Sequence, residues 1–231
     1  MVYITGDTHG ETRRLRHFYL SESLSPQDCV IILGDAGYNF YGGEKDWWAK
    51  KKLEKFEATF FCIHGNHEIR PANIPAYHEK TWNGGTVYSE DEFPNLLFAK
   101  DGEIYDIAGK RCIAIGGAYS IDKYIRLQHG YGWWPDEQPS AEIRAYVESQ
   151  LAARGNQVDV VLSHTCPLKY LPYEAFLSMV DQSTVDNSTE IWLDAIEDRI
   201  DYDQWYCGHY HTEKRIDRME FLFESIIPFC P

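Results

Sequence analysis

The chain has 231 residues, 44% of them hydrophobic and 25% charged, the balance of one compact folded domain and not of a disordered tail or a fibre. Its 22 basic residues against 36 acidic ones leave a net charge of −14, which removes the positive field that draws proteins to nucleic-acid backbones and anionic membranes. No apolar run is long enough to cross a bilayer and no basic-then-apolar leader follows Met1, so a cytoplasmic protein without a membrane or nucleic-acid partner is expected.

Val2–Thr5 opens the chain as a short apolar run of the kind that forms a strand buried on both faces. A helix is predicted over 12–20, with Leu15, Phe18 and Tyr19 at helical spacing. Cys29–Leu33 predicts a second strand, and 44–57 a helix carrying Trp47, Trp48, Leu53 and Phe56, with Lys50, Lys51 and Lys52 as a solvated face. Thr59–Ile63 is the third strand, after which 70–94, rich in Pro, Gly and aromatics, reads as a long loop or small insertion.

Arg111–Ile115 predicts a further strand, followed by an aromatic-rich insertion or loop at about 118–139. Its Tyr119, Tyr124, Tyr131, Trp133 and Trp134 suit either a substrate lid or packing against the core. Ser140 is the expected N-cap of a helix carrying Ile143, Val147 and Leu151 and ending near Gly155. Val158–Leu162 predicts a strand and 167–186 a loop. Asn187, with Glu190 three residues on, opens a last helix bearing Trp192, Ala195, Ile196 and Ile200, before a strand at Trp205–Cys207. Strands alternating with helices imply a single α/β layered domain over 1–231 with a largely parallel sheet. Cys29, Cys62, Cys112, Cys166, Cys207 and Cys230 form no Cys-x-x-Cys pair and are expected to be reduced residues in or near the core.

Metal-ligand residue types recur where these strands end. The first is followed by Gly6-Asp7-Thr8-His9-Gly10, the second by Gly34-Asp35-Ala36-Gly37, and the third by Gly65-Asn66-His67-Glu68; later come Ser163-His164-Thr165 and Gly208-His209-Tyr210-His211. Ligands of open α/β sheets bind at the carboxyl ends of the strands, so segments distant in sequence converge there. Two aspartates, one asparagine and four or five histidines form an oxygen and nitrogen donor set suited to Mn, Fe, Zn, Co or Ni, and seven ligands suit two ions sharing a carboxylate.

Asp-x-His, Gly-Asp, Gly-Asn-His-Glu, His and Gly-His-x-His, in that order, resemble the signature of the calcineurin-like metallophosphoesterase superfamily and its bacterial-type metallophosphatases. The resemblance implies a sandwich of two mixed β-sheets flanked by helices. It implies that Asp7, His9 and His211 hold one metal ion, that Asn66, His164 and His209 hold a second, and that Asp35 bridges them. A water or hydroxide between the ions would be the nucleophile. His67, unligated, would act beside the substrate, as an imidazolium stabilising phosphoryl oxygens or protonating the leaving group.

The function implied is hydrolysis of a phosphorylated small-molecule or nucleotide-like substrate. A phosphodiesterase or nuclease of the same superfamily is the alternative, and a catalytically silent protein-interaction scaffold is the rival from another class. Arg70, Lys123 and Arg126 are the candidate phosphate contacts. The superfamily's protein phosphatases carry Gly-Asp-x-x-Asp-Arg-Gly at the bridging aspartate; Gly34-Asp35-Ala36-Gly37-Tyr38-Asn39 departs from it, which argues against a phosphoprotein substrate. His17, His64, His78 and His129 match no motif position and are expected to be structural or on the surface.

Overall fold

A strand buried on both faces must be apolar throughout and must leave the sheet at a turn, which is why these runs stop at glycine and polar clusters. The computed structural model describes residues 1–229. Its elements in chain order are β1 (Val2–Thr5), α1 (Thr12–Glu22), β2 (Cys29–Ile32), α2 (Glu44–Leu53), β3 (Thr59–Cys62), β4 (His78–Trp82), β5 (Gly85–Ser89), β6 (Leu96–Ala99), β7 (Ile104–Ile107) and β8 (Lys110–Ile115). There follow α3 (Lys123–His129), α4 (Ala141–Ala152), β9 (Val160–Ser163), α5 (Ser188–Glu197), β10 (Gln204–Cys207), β11 (Lys214–Ile216), β12 (Met219–Phe221) and β13 (Ile226–Pro228).

The strands form two mixed sheets, in the orders β13-β1-β2-β3-β6-β5-β4 and β11-β12-β10-β9-β8-β7. Each has a parallel centre, β1-β2-β3-β6 in one and β12-β10-β9-β8 in the other, bordered by antiparallel strands. The expected parallel arrangement therefore holds for the centres and gives way at the edges. One apolar layer, including Ile4, Ile31, Phe61, Ala114 and Leu162, lies between the sheets. A second, with Val147, Leu151, Leu193 and Trp205, packs α4 and α5 on one outer face; a third, with Leu15, Leu53 and Phe60, packs α1 and α2 on the other.

The structure departs from the sequence reading in several places. Within 70–94 the chain forms a 3-10 turn at Pro71–Asn73 and the β4–β5 hairpin, turning at Asn83 and Gly84, both left-handed. The Asn-Gly pair is the residue chemistry of a tight hairpin turn. The segment 118–139 contains α3, and 167–186 contains three 3-10 turns but no longer element. Asn187 makes no side-chain cap; the Ser188 N–H instead donates to Asp186 Oδ1 at 3.0 Å, and Ile200 lies beyond the end of α5. Lys50 is not solvated: it is buried in an ion pair with Glu90 and over the Tyr77 ring.

The five cysteines among the described residues are buried and unpaired, and Cys230 lies outside those residues. No helix among the described residues is long and apolar enough to cross a membrane.

Candidate metal centre

All five motif blocks leave the carboxyl ends of parallel strands, so both sheets deliver their donors to one edge of the sandwich. Close backbone approach makes the cluster possible. A Cβ on Gly34, whose φ is +93°, would fall 2.0 Å from His164 Nδ1, and one on Gly208 would fall 2.3 Å from Asp7 Oδ1. His9, Asp35, His209 and His211 themselves have φ between 46° and 69°, four of the nine non-glycine residues in the left-handed region among the described residues. Such backbone costs about 1–2 kcal/mol for a residue with a Cβ, and it accumulates where side chains must be aimed at a common point.

Asp7 Oδ2 lies 3.3 Å from His211 Nε2 and 3.9 Å from His9 Nε2, and these two ring nitrogens are 3.0 Å apart. A second group joins Asp7 to Asp35 and His164, whose Nε2 is 3.7 Å from Asp35 Oδ1. Asn66 Oδ1 closes the cluster, 2.8 Å from His164 Nε2 and 3.0 Å from His209 Nδ1, while its amide nitrogen donates to Ser120 Oγ at 2.8 Å. All seven expected ligands are thus brought together. Backbone donors hold the carboxylates in place: the His209 N–H donates to Asp7 Oδ1 at 2.9 Å and the His67 N–H to Asp35 Oδ1 at 2.7 Å.

With its imidazoles neutral, this cluster cannot close its own hydrogen bonds. The Leu33 carbonyl can only accept, so His164 donates to it from Nδ1 at 2.8 Å, and in a neutral ring this leaves a lone pair on Nε2. That lone pair faces the Asn66 carbonyl oxygen, another acceptor. Asp7 Oδ2 is sealed from solvent, with the His211 and His9 ring nitrogens as its nearest polar neighbours. Acceptors converging on one another are costly in a dry site and are resolved by a cation, so oxygen and imidazole donors here fit divalent transition-metal ions.

Protonation of these groups follows burial and charge. Burial pushes the Asp7 carboxyl up, but His211, His164, His9 and the His209 N–H outweigh it and hold the pKa below its ordinary value. Loss of hydration, with His164 alongside, lowers His209 well below the ordinary imidazole value; the hydrogen-bonding partner Asp7 raises His211. Burial lowers His67 too, and the nearby Arg126 adds to this against the pull of Asp35 and Asp122, so the structure favours a neutral His67 ring.

The three candidate phosphate contacts are already engaged. Arg70 donates from Nη1 to Asp101 Oδ2 at 2.5 Å and from Nε to the Asp136 carbonyl at 2.8 Å. Lys123 sits 4.3 Å from the centre of the Trp133 ring. Arg126, buried, bonds His67 Nδ1, Asp122 and the Gly132 carbonyl. The aromatic segment divides: Tyr119 is buried, Trp133 donates to Glu137 at 2.8 Å and Trp134 packs against Phe40, whereas Tyr124 and Tyr131 are exposed. Of the histidines outside the motifs, His64 is buried with neither ring nitrogen hydrogen-bonded, whereas His17, His78 and His129 are exposed.

Three supporting residues escaped the sequence reading. Arg14 donates to the Asp7 carbonyl at 2.5 Å and fixes the end of β1. Glu68, fully buried, accepts from the Gly65 N–H at 2.8 Å, and burial beside Asp35 raises its pKa to about 8. Asp122 lies beside His67; its spacing of four from Arg126 is the one sequence signal that pairs them.

No curated protein matches the chain. Among solved structures it is similar to TT1561 of Thermus thermophilus, with 10% identity over 96% of this chain and 87% of that one and a TM-score of 0.49. It is similar to AQ665 of Aquifex aeolicus, a protein of unknown function, with 14% identity over 71% and 80% of the two chains and a TM-score of 0.34. It is also similar to the sulfate thiohydrolase SoxB of Thermus thermophilus, with 12% identity, 94% of this chain against 37% of that one and a TM-score of 0.35. The family profile described as calcineurin-like phosphoesterase matches residues 1–213, a span holding all seven of the clustered donors, and the chain belongs to that family.

Proposed function

We propose that the protein hydrolyses phosphoesters with a two-ion centre and acts on a small or nucleotide-like phosphorylated substrate. The observation that carries this reading is the convergence of seven oxygen and nitrogen donors at the edge of two sheets. Asp7, His9 and His211 would hold one ion and Asn66, His164 and His209 the other, with Asp35 serving both. When bound, such ions supply positive charge to phosphoryl oxygens and lower the pKa of a water from roughly 15.7 toward about 7.

The chain's own residues do the rest. The Leu33 carbonyl fixes which nitrogen of His164 faces the centre, and the His209 and His67 N–H groups orient the two aspartates. His67, carried on the same turn as Asn66, stands 5.8 Å from His9 between ring centres, where its Nε2 can hydrogen-bond a phosphoryl or leaving-group oxygen. With Arg70, Lys123 and Arg126 engaged elsewhere, the charge that binds the phosphoryl group comes chiefly from the ions.

The test is turnover of an aryl phosphomonoester and the matching diester by metal-stripped protein reloaded with manganese. Turnover that needs manganese, falls roughly 10²–10⁴-fold in His67→Ala and vanishes in Asp35→Asn is expected. Equal turnover with and without manganese would refute the reading.

A further inference from the structure

Arg126 belongs to α3, outside every motif block, yet its guanidinium is fixed on all sides. Nε donates to Asp122 Oδ2 at 2.8 Å, Nη1 donates to the Gly132 carbonyl at 3.0 Å, and the plane lies over the Phe40 ring, 5.4 Å from its centre. The remaining nitrogen, Nη2, meets His67 Nδ1. Only 5% of Arg126 is exposed, so this arrangement is not a chance contact of a mobile surface side chain.

A guanidinium has five N–H donors and no acceptor. The nitrogen it meets must therefore accept, and a neutral imidazole that accepts at Nδ1 carries its proton on Nε2. We infer that Arg126, held by Asp122, is a positioning residue for His67: it fixes the ring with Nδ1 accepting and presents Nε2–H as a donor toward the site. Asp122 supports this from the other side. Its Oδ2 anchors the guanidinium, and its Oδ1, sealed and without a hydrogen bond, lies 3.9 Å from His67 Nε2. The pair sits one helical turn apart at the start of α3, so this part of the aromatic insertion reaches the reaction through His67.

The kinetic consequence rests on the phosphoesterase reading, but the tautomer does not. The experiment pairs ¹⁵N-histidine NMR of the ion-free protein at pH 8 with a double-mutant cycle. His67 is expected as the Nε2–H tautomer in the parent chain and as a mixture, or as Nδ1–H, in Arg126→Met; Arg126→Lys, which retains a donor, should keep the parental tautomer. In manganese-loaded protein Arg126→Met should lower kcat roughly 10–100-fold on esters with poor leaving groups, with KM little changed, and should cost nothing further on a His67→Ala background. An Nδ1–H tautomer in the parent chain, or an Arg126→Met loss that persists undiminished beside His67→Ala, would overturn the assignment. The expected tautomer in a protein that turns over no phosphoester would support the positioning role and sink the phosphoesterase reading instead.

Discussion

Replacing Gly34 by alanine tests whether backbone proximity places His164. Two costs are separable. The first is the left-handed backbone, φ +93°, which costs an alanine about 1–2 kcal/mol. The second is steric: a Cβ 2.0 Å from His164 Nδ1 cannot coexist with that ring, so the imidazole must swing out and break its 2.8 Å bond to the Leu33 carbonyl. A buried donor and a buried acceptor left unpaired cost about 1–3 kcal/mol each. Gly155→Ala supplies the control, because that residue is also left-handed, at φ +64°, with nothing within 4 Å of the new Cβ.

The steric excess of Gly34→Ala over Gly155→Ala is then about 2–6 kcal/mol. At roughly 2–4 °C per kcal/mol for a chain of this size, the two melting temperatures should differ by about 10 °C. Thermal melts of the ion-free proteins measure the difference. Manganese affinity of Gly34→Ala should also fall roughly 10–100-fold, the usual effect of losing the group that orients a ligating imidazole, and remain unchanged in Gly155→Ala. Equal melting temperatures and equal affinities would show that His164 is not held by this contact.

Other outcomes follow from charge and burial. Burial, with Arg70 and His164 nearby, pushes the pKa of His64 well below 6.5, so below that pH the unfolded chain binds the extra proton and stability falls as the pH drops. Urea unfolding of ion-free His64→Leu between pH 7.5 and 5.5 should show a shallower loss than the parent chain, by up to about 1.4 kcal/mol per pH unit, and an unchanged slope would refute the assignment. Glu90→Ala, which strands the buried Lys50 charge, should destabilise by roughly 3–5 kcal/mol, while the Lys50→Met, Glu90→Met double variant should lie close to the parent chain in the same measurement. Removing metal with a chelator should lower the melting temperature, and manganese at about 100 times its dissociation constant should restore about 2.7 kcal/mol; no shift on reloading would mean that the centre binds manganese no better folded than unfolded.

What the sequence reveals is set by burial. β1, β2, β3, β8, β9 and β10 lie in the parallel centres, so their runs are largely apolar and their ends fall within a residue or two of the expected positions; β6, Leu96–Ala99, is as buried and as parallel and is missing from the predicted strands. The ligand blocks are legible for the same reason, since they begin where those runs stop. The β4–β5 hairpin is not, because edge strand β4 carries His78, Glu79 and Lys80 and alternates too weakly to stand out from a loop. The strands β11, β12 and β13 have three residues each, too few for a period to appear.

α3 hides behind exposed Tyr124, Ile125 and Leu127, which blur the apolar stripe expected of a surface helix. Long-range partners are beyond any local pattern. Lys50 reads as part of a solvated lysine run because Glu90 lies 40 residues away, and Arg126 meets a histidine 59 residues away. Type and spacing show that these side chains are cations, and only the fold shows what they face.

The left-handed backbone at His9, Asp35, His209 and His211 gives the centre a bearing on laboratory evolution. At each position a glycine would relax the chain, so a library selected for thermal stability alone in ion-free medium should discard these residues early, before it exhausts the core. Selection in the presence of manganese should reverse that gradient. The balance between the two selections would measure, within this one chain, how much stability the fold surrenders to keep its chemistry.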